Sequence, residues 1–146
     1  LLGDFASLDV QNTYRGSDAY VILNYTGNIY VTIWSIIMKV EVVEFLDDYG
    51  TSPFEVWFNR LNAQAAAKIT IAVTRMELGN FSNCKSVGAG VWENKIDFGP
   101  GYRIYYGKDG DKLVILLTGG SKKGQQKDID QAKSYWKEYK QRKKKH

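Results

Sequence analysis

The sequence predicts an α+β domain: a mainly antiparallel sheet with an N-terminal helical hairpin and a C-terminal helix packed against it. Three observations carry this. Val91 to Lys123 reads as strands joined by tight turns at Gly99-Pro100-Gly101 and Lys108-Asp109-Gly110-Asp111. Ser52 to Leu78 reads as two helices with almost no linker, which implies a helical hairpin. From Gln125 to Lys140, Ile129, Ala132, Trp136 and Tyr139 recur at spacings of three and four, the stripe of a helix lying on a sheet.

In chain order, residues 1–37 scatter Gly, Asn, Asp and Ser without helical period, and a β-rich patch from Tyr20 to Ile37 with Thr26-Gly27-Asn28 as its turn predicts a weak hairpin. The first methionine, Met38, opens a strand pattern through Leu46. The expectation is therefore a functional domain over 38–146, with residues 1–37 as a leader of unknown role, either an appendage or sequence read through from upstream of a true start at Met38. Ser52, Pro53 and Glu55 then give a cap, a first-turn proline and a capping box, predicting a helix from Pro53 to Leu61 with Phe54, Trp57, Phe58 and Leu61 as its core stripe. Asn62 caps a second helix, Ala63 to about Leu78, stopped by Gly79.

Cys84 to Val87 is a short strand, turned by Gly88-Ala89-Gly90 into the hairpin that follows. Leu113 to Leu117 is a continuous apolar run, the mark of a central strand covered on both faces, and Gly119-Gly120 reads as its exit. The last helix exposes its lysines.

At 146 residues, 44% hydrophobic and 25% charged, the chain has the composition of one globular domain with a real core. Its most apolar run, Ile29 to Met38, is broken only by Thr32 and Ser35 but is ten residues, about half the roughly 20 that a spanning helix needs, so no membrane span is expected. A single Cys84 and no signal-peptide pattern make a reducing cytoplasm the expected compartment. The one histidine is the last residue, His146. Zinc and Ser-His designs are thereby excluded, no metal or cofactor is expected, and acid–base chemistry falls to Glu, Asp, Lys, Arg or Tyr. The net charge of +4 is unevenly placed: Ser121 to His146 holds ten Lys or Arg against three Asp or Glu, a net of +7, which fits a polyanion, an acidic partner or a merely solubilising tail.

Period-2 alternation puts Glu93, Lys95 and Asp97 on one face of the central hairpin and Trp92, Asn94, Ile96 and Phe98 on the other. With Gly99-Pro100-Gly101 as a three-residue loop, Asp97 is expected opposite Arg103 and Lys95 opposite Tyr105, with Glu93 further along. A carboxylate, two cations and a phenol then share one surface. The plainer reading of that surface is a solvated sheet face laced by cross-strand ion pairs.

The segments SPFEVWFNRLN, RMELGNF and SVGAGVWENKIDFGPGYRIYYGKDGDKLVILLTGGSKKGQQKDIDQAKSYWKEY, covering about Met38 to Tyr139, resemble the RelE/ParE superfamily of toxins from bacterial type II toxin–antitoxin modules, specifically its HigB-like branch of addiction module killer proteins. The combination of VGAGVWE, the IDFGPGYRIYYG hairpin and the GGSKK exit carries the resemblance. It implies a RelE/ParE-like toxin fold, cleavage of messenger RNA, often on the ribosome, and restraint by a cognate antitoxin, commonly of helix-turn-helix type.

The chemistry so implied is attack of an RNA 2′-OH on its adjacent phosphate, which needs a base, cations for the developing charge and an acid for the leaving oxygen. Glu93 is the candidate base and Arg103 the candidate phosphate clamp, both at positions that match the family motif. Tyr105 or a lysine is the candidate proton donor, with Lys122 in the catalytic set and Lys85, Lys95 and Lys123 as RNA-binding cations. Asn94-Lys95 departs from the Leu-Arg common in relatives and replaces a planar fork by a point charge. Two other functions stay open: a ParE-like inhibitor of DNA gyrase, and a non-catalytic protein that binds an antitoxin or RNA through its basic segment.

Overall fold

The computed structural model describes residues 9–15, 18–25, 29–33 and 40–146. The chain divides into two compact units, Leu1–Met38 and Lys39–His146. In the first, strands β1 (Asp9–Arg15), β2 (Asp18–Tyr25) and β3 (Ile29–Ile33) form an antiparallel sheet in that order, with Asn24 opposite Tyr30 and Thr13 opposite Tyr20. The hairpin expected from Tyr20 onward is the β2–β3 pair, and β1 is an additional strand. The turn residues 26–28 and the start at Met38 lie outside the described residues.

The second unit runs β4 (Glu41–Glu44), α1 (Pro53–Phe58), α2 (Ala63–Glu77), β5 (Cys84–Gly88), β6 (Val91–Ile96), β7 (Tyr102–Lys108), β8 (Leu113–Ser121), a short 3₁₀ turn at Lys122–Gly124, and α3 (Gln125–Lys144). The five strands lie in the order β4-β8-β7-β6-β5, antiparallel except for β4, which runs parallel to β8. The helical hairpin between β4 and the later strands lets the two run in the same direction. The run Leu113–Leu117 is interior, as expected, although β7 is the middle strand. Val114 and Leu116 face α1 and α2 with Ile104, Ile69 and Phe54, while Ile115 and Leu117 face α3 with Val91, Tyr105 and Trp136.

Local chemistry fixes the helix ends. Ser52 accepts the Glu55 N–H at 3.0 Å and Asn62 accepts the Ala65 N–H at 2.9 Å, each satisfying one of the free first-turn donors. The reciprocal half of the expected capping box does not form among the described residues; instead the Ser52 hydroxyl donates to Glu44 at 3.2 Å, tying α1 to the end of β4. Helix α1 stops at Phe58, shorter than expected, and tightens into i+3 bonds from Arg60 to Trp57 and from Leu61 to Phe58. Helix α3 runs one turn beyond Lys140.

Two features give direct tests. Ala89, between Gly88 and Gly90, has φ of 55°, a left-handed conformation that a Cβ disfavours. Ala89→Gly is expected to stabilise the domain by about 0.5–1 kcal/mol, since relief of strain outweighs the added chain entropy, read as a higher denaturation midpoint at unchanged slope. Asp109, at the β7–β8 turn, accepts from the Tyr139 hydroxyl at 2.6 Å and from Lys143 at 2.5 and 2.7 Å, fastening the end of α3. Lys143 first, then Tyr139, holds this carboxyl below its ordinary 3.8. A carboxylate depressed on folding contributes stability above its unfolded value and loses it as pH falls through the folded one. Asp109→Asn is therefore expected to flatten the acid side of the stability profile below pH 3.8, with no such change near neutrality.

Candidate functional site

The β6–β7 register differs from the expected one by two residues. Ile96 is the last residue paired, opposite Tyr102, so the loop spans five residues rather than three; Lys95 faces Arg103 and Glu93 faces Tyr105. The Gly101 N–H donates to Phe98 O at 3.0 Å and Phe98 N–H to Ile96 O at 3.0 Å, so the chain folds back before Phe98 reaches Tyr102. A shift of two preserves parity, and Glu93, Arg103 and Tyr105 remain on one face. The cross-strand partners assigned to Asp97 and Lys95 are corrected accordingly.

That face is covered. Glu93 is 1% exposed, Arg103 5% and Tyr105 0%, so neither a solvated sheet nor an open concave surface describes them. Helix α3 lies over the face, because its stripe of Ile129, Ala132 and Trp136 packs on Val91, Tyr105, Ile115 and Leu117. Its first residue, Gln125, reaches down to donate from Nε2 to Glu93 Oε2 at 2.9 Å. Glu93 Oε1 lies 3.6 Å from Arg103 Nε and 3.7 Å from Nζ of Lys85, its neighbour on β5.

Those two contacts are ionic but too long for hydrogen bonds. Four buried polar atoms are thus left without a hydrogen-bond partner in one cluster: Glu93 Oε1, Arg103 Nε and NH1, and the Tyr105 hydroxyl. Burial, then Glu93 through its charge and its approach to the hydroxyl beyond normal hydrogen-bond length, then the charge of Asp128, push the Tyr105 phenol well above its ordinary range, with Arg103 opposing. The phenol keeps its proton at any working pH.

Among the other expected residues, Lys85 is the one in ionic contact with the cluster, and Lys122 lies on the far side of Gly101, where an added Cβ would stand 3.7 Å from Arg103 NH1 and 3.8 Å from the Lys122 Cβ. The Lys122 N–H also donates to Gly101 O at 2.9 Å. Lys85 sits at the rim, its side chain 67% exposed. Lys95 pairs with Asp97 at 3.0 Å, and Lys123 is exposed with no ion pair among the described residues. Tyr105 is buried too deeply to stack a base as found.

Two participants were not expected. Gln125 lies 32 residues from Glu93 in sequence, and no local pattern marks it. Asp128, its carboxyl raised by burial, packs against Gly120, which pairs with Arg103. Gly119-Gly120 is no strand exit but the buried end of β8: a Cβ at Gly119 would meet the Trp57 ring at 2.2 Å, and one at Gly120 would meet Asp128. Beside it runs a groove of about 550 Å³, with Trp57 and Arg60 on one wall and Asp128 and Tyr135 on the other.

A buried carboxylate with a guanidinium and a protonated phenol can take up a proton, hold a phosphate and supply a proton, once the first turn of α3 is lifted. No group of three or more His, Cys, Asp or Glu side chains that could hold a metal occurs among the described residues, and no helix among them is long and apolar enough to cross a membrane.

The family described as phage-derived protein Gp49-like (DUF891) matches residues 56–137, from within α1 to within α3. A protein of Haemophilus influenzae, described only as an uncharacterized protein, is 48% identical over 84 residues, which is 57% of this chain and 85% of its own length. Glu93, Arg103, Tyr105, Gln125 and Asp128 all fall inside the family match. The chain belongs to the Gp49-like family of phage-derived proteins, a family associated with toxin–antitoxin addiction modules.

Proposed function

We propose that this protein is the toxin of a type II toxin–antitoxin module, of the RelE/ParE-like, HigB-like kind, and that it acts as a metal-independent endoribonuclease on messenger RNA. The observation that carries the reading is the cluster of four unsatisfied buried polar atoms on Glu93, Arg103 and Tyr105. Buried donors and acceptors are nearly always paired, and a concentration of unpaired ones marks a place prepared for a ligand. A scissile phosphate supplies the missing acceptors to Arg103, and a 2′-OH the missing donor to Glu93 Oε1.

In this reading Glu93 takes the 2′-OH proton, Arg103 and the nearby Lys122 hold the charge that builds on the phosphate, and Tyr105 donates to the leaving 5′ oxygen. Lys85 and Lys95 draw the strand to the rim, with Lys123 further out. The cluster is reached only when Gln125 releases Glu93. The partners are a cognate antitoxin, of helix-turn-helix type in the nearest resemblance, and messenger RNA on or off the ribosome, in the cytoplasm.

The test is induction of the full chain with transcript 5′ ends mapped within minutes. New ends inside translated messages are expected. Growth arrest with intact messages and a DNA damage response would replace ribonuclease action by gyrase inhibition. The near-complete enclosure of Glu93 and Arg103 is the observation that favours this second, non-cleaving reading.

A further inference from the structure

Helix α2 and the end of β6 leave between them a second pocket, of about 300 Å³, on the face of the sheet away from α3. Its most buried polar residue is Asn94, 5% exposed. By alternation Asn94 belongs with Trp92 and Ile96 on a face that is otherwise apolar and packs against Ile69, Ala72 and Met76. Its carboxamide takes part in no hydrogen bond with the described residues, yet it is not one of their fully buried unpaired polar atoms: it lines this pocket and meets solvent there. A carboxamide so placed, on an otherwise apolar face, is free to bond whatever enters the pocket.

The rim shows what that is. Lys68 and Arg75, exposed on α2 and unpaired with any carboxylate among the described residues, line the pocket, and Lys68 Nζ stands 5.6 Å from the centroid of the half-buried Phe98 ring. Asn83 closes the far side, and Lys95 is already neutralised by Asp97. Two free cations, one aromatic face and one buried group that both donates and accepts are complementary to the three parts of a nucleotide. The cations take the phosphate, the ring takes the base face, and a carboxamide pairs side by side with a base edge. The volume lies at the small end of ligand clefts, enough for one nucleotide and too little for a duplex.

We infer that this pocket binds one nucleotide of a single-stranded RNA and reads its base through Asn94. The inference rests on the ribonuclease reading for the identity of the strand, but the site and its chemistry are separate from the Glu93–Arg103 cluster. A base held here gives the protein a sequence preference of its own, whatever the cluster does to the phosphate.

The test is titration of the full chain with the four 5′-ribomononucleotides and with inorganic phosphate, by calorimetry and by saturation-transfer NMR. One base is expected to bind at least about fivefold better than the others, the scale of a good bidentate contact. Asn94→Leu is expected to abolish that preference at a nearly unchanged thermal midpoint, because no hydrogen bond within the protein is lost and an apolar side chain of similar shape joins an otherwise apolar face. The surface double variant Lys68→Gln/Arg75→Gln, which leaves the core untouched, is expected to weaken all four nucleotides severalfold without changing their order. Equal binding of all four bases overturns the inference. So does phosphate competing as well as any nucleotide, no binding at millimolar concentration, or an unchanged preference in Asn94→Leu. None of these readouts depends on cleavage, so an inactive Glu93–Arg103 cluster and an empty nucleotide pocket are told apart.

Discussion

Arg103→Ala is expected to abolish growth arrest and, in the same step, to remove roughly 3–5 kcal/mol of stability. Two separate causes produce the two losses. On the proposed ribonuclease reading, activity goes because the guanidinium is the group able to bind a phosphate in two places. Stability goes because Glu93, 1% exposed, is left as a buried carboxylate whose nearest remaining cation, on Lys85, is 3.7 Å away and mostly in water. The single variant therefore cannot by itself distinguish a catalytic arginine from a structural one. The double variant Glu93→Gln/Arg103→Met can, since replacing both charges by neutral groups of similar volume is often neutral or stabilising. It is expected to unfold within about 1 kcal/mol of the parent and still to be non-toxic. Urea denaturation and a growth assay on the three proteins decide the matter. A double variant that folds and still arrests growth removes the cluster from the mechanism.

The same buried pair shows what sequence can and cannot reveal here. Parity put Glu93, Arg103 and Tyr105 on one face, and parity survives a register error of two; the cross-strand partners, which do not, came out wrong because a Gly-Pro-Gly sequence marks a turn without fixing its length. Helix starts at Ser52 and Asn62 were legible because a cap is a contact between residues three apart. The stripe of α3 was legible for a similar reason, but it says only that the helix lies on an apolar surface. Nothing in it says that its first turn also crosses two charged residues on neighbouring strands, and a Glu and an Arg in strands read as solvent-facing until that cover is known.

Gly119-Gly120 failed in the opposite direction. Paired glycines most often end a strand, whereas here they admit Trp57 on one face and Asp128 on the other. Both partners are distant in sequence, so the close approach that requires glycine has no local mark. Asn94 belongs to the same class of signal: a polar residue at an apolar position of the alternation, visible in sequence as an irregularity and meaningful only once the pocket above it is seen.

Tyr105→Phe has the largest expected effect on chemistry alone. The hydroxyl it removes has no hydrogen-bond partner and is fully buried, so its loss is expected to leave stability level or slightly higher, the opposite of what a structural tyrosine gives. If the phenol donates to the leaving oxygen, cleavage by the variant falls about 10²–10⁴-fold at an unchanged fold. The direction of its ionisation makes a second prediction. Burial and the Glu93 and Asp128 charges hold the phenol protonated far above neutrality, so it stays a donor over the whole working range and adds no alkaline limb to the rate profile. Single-turnover cleavage of a short RNA at several pH values, alongside thermal denaturation of the same preparations, reads both. Undiminished cleavage by Tyr105→Phe would pass the donor role to Lys122, whose N–H is bonded to Gly101 O next to the cluster.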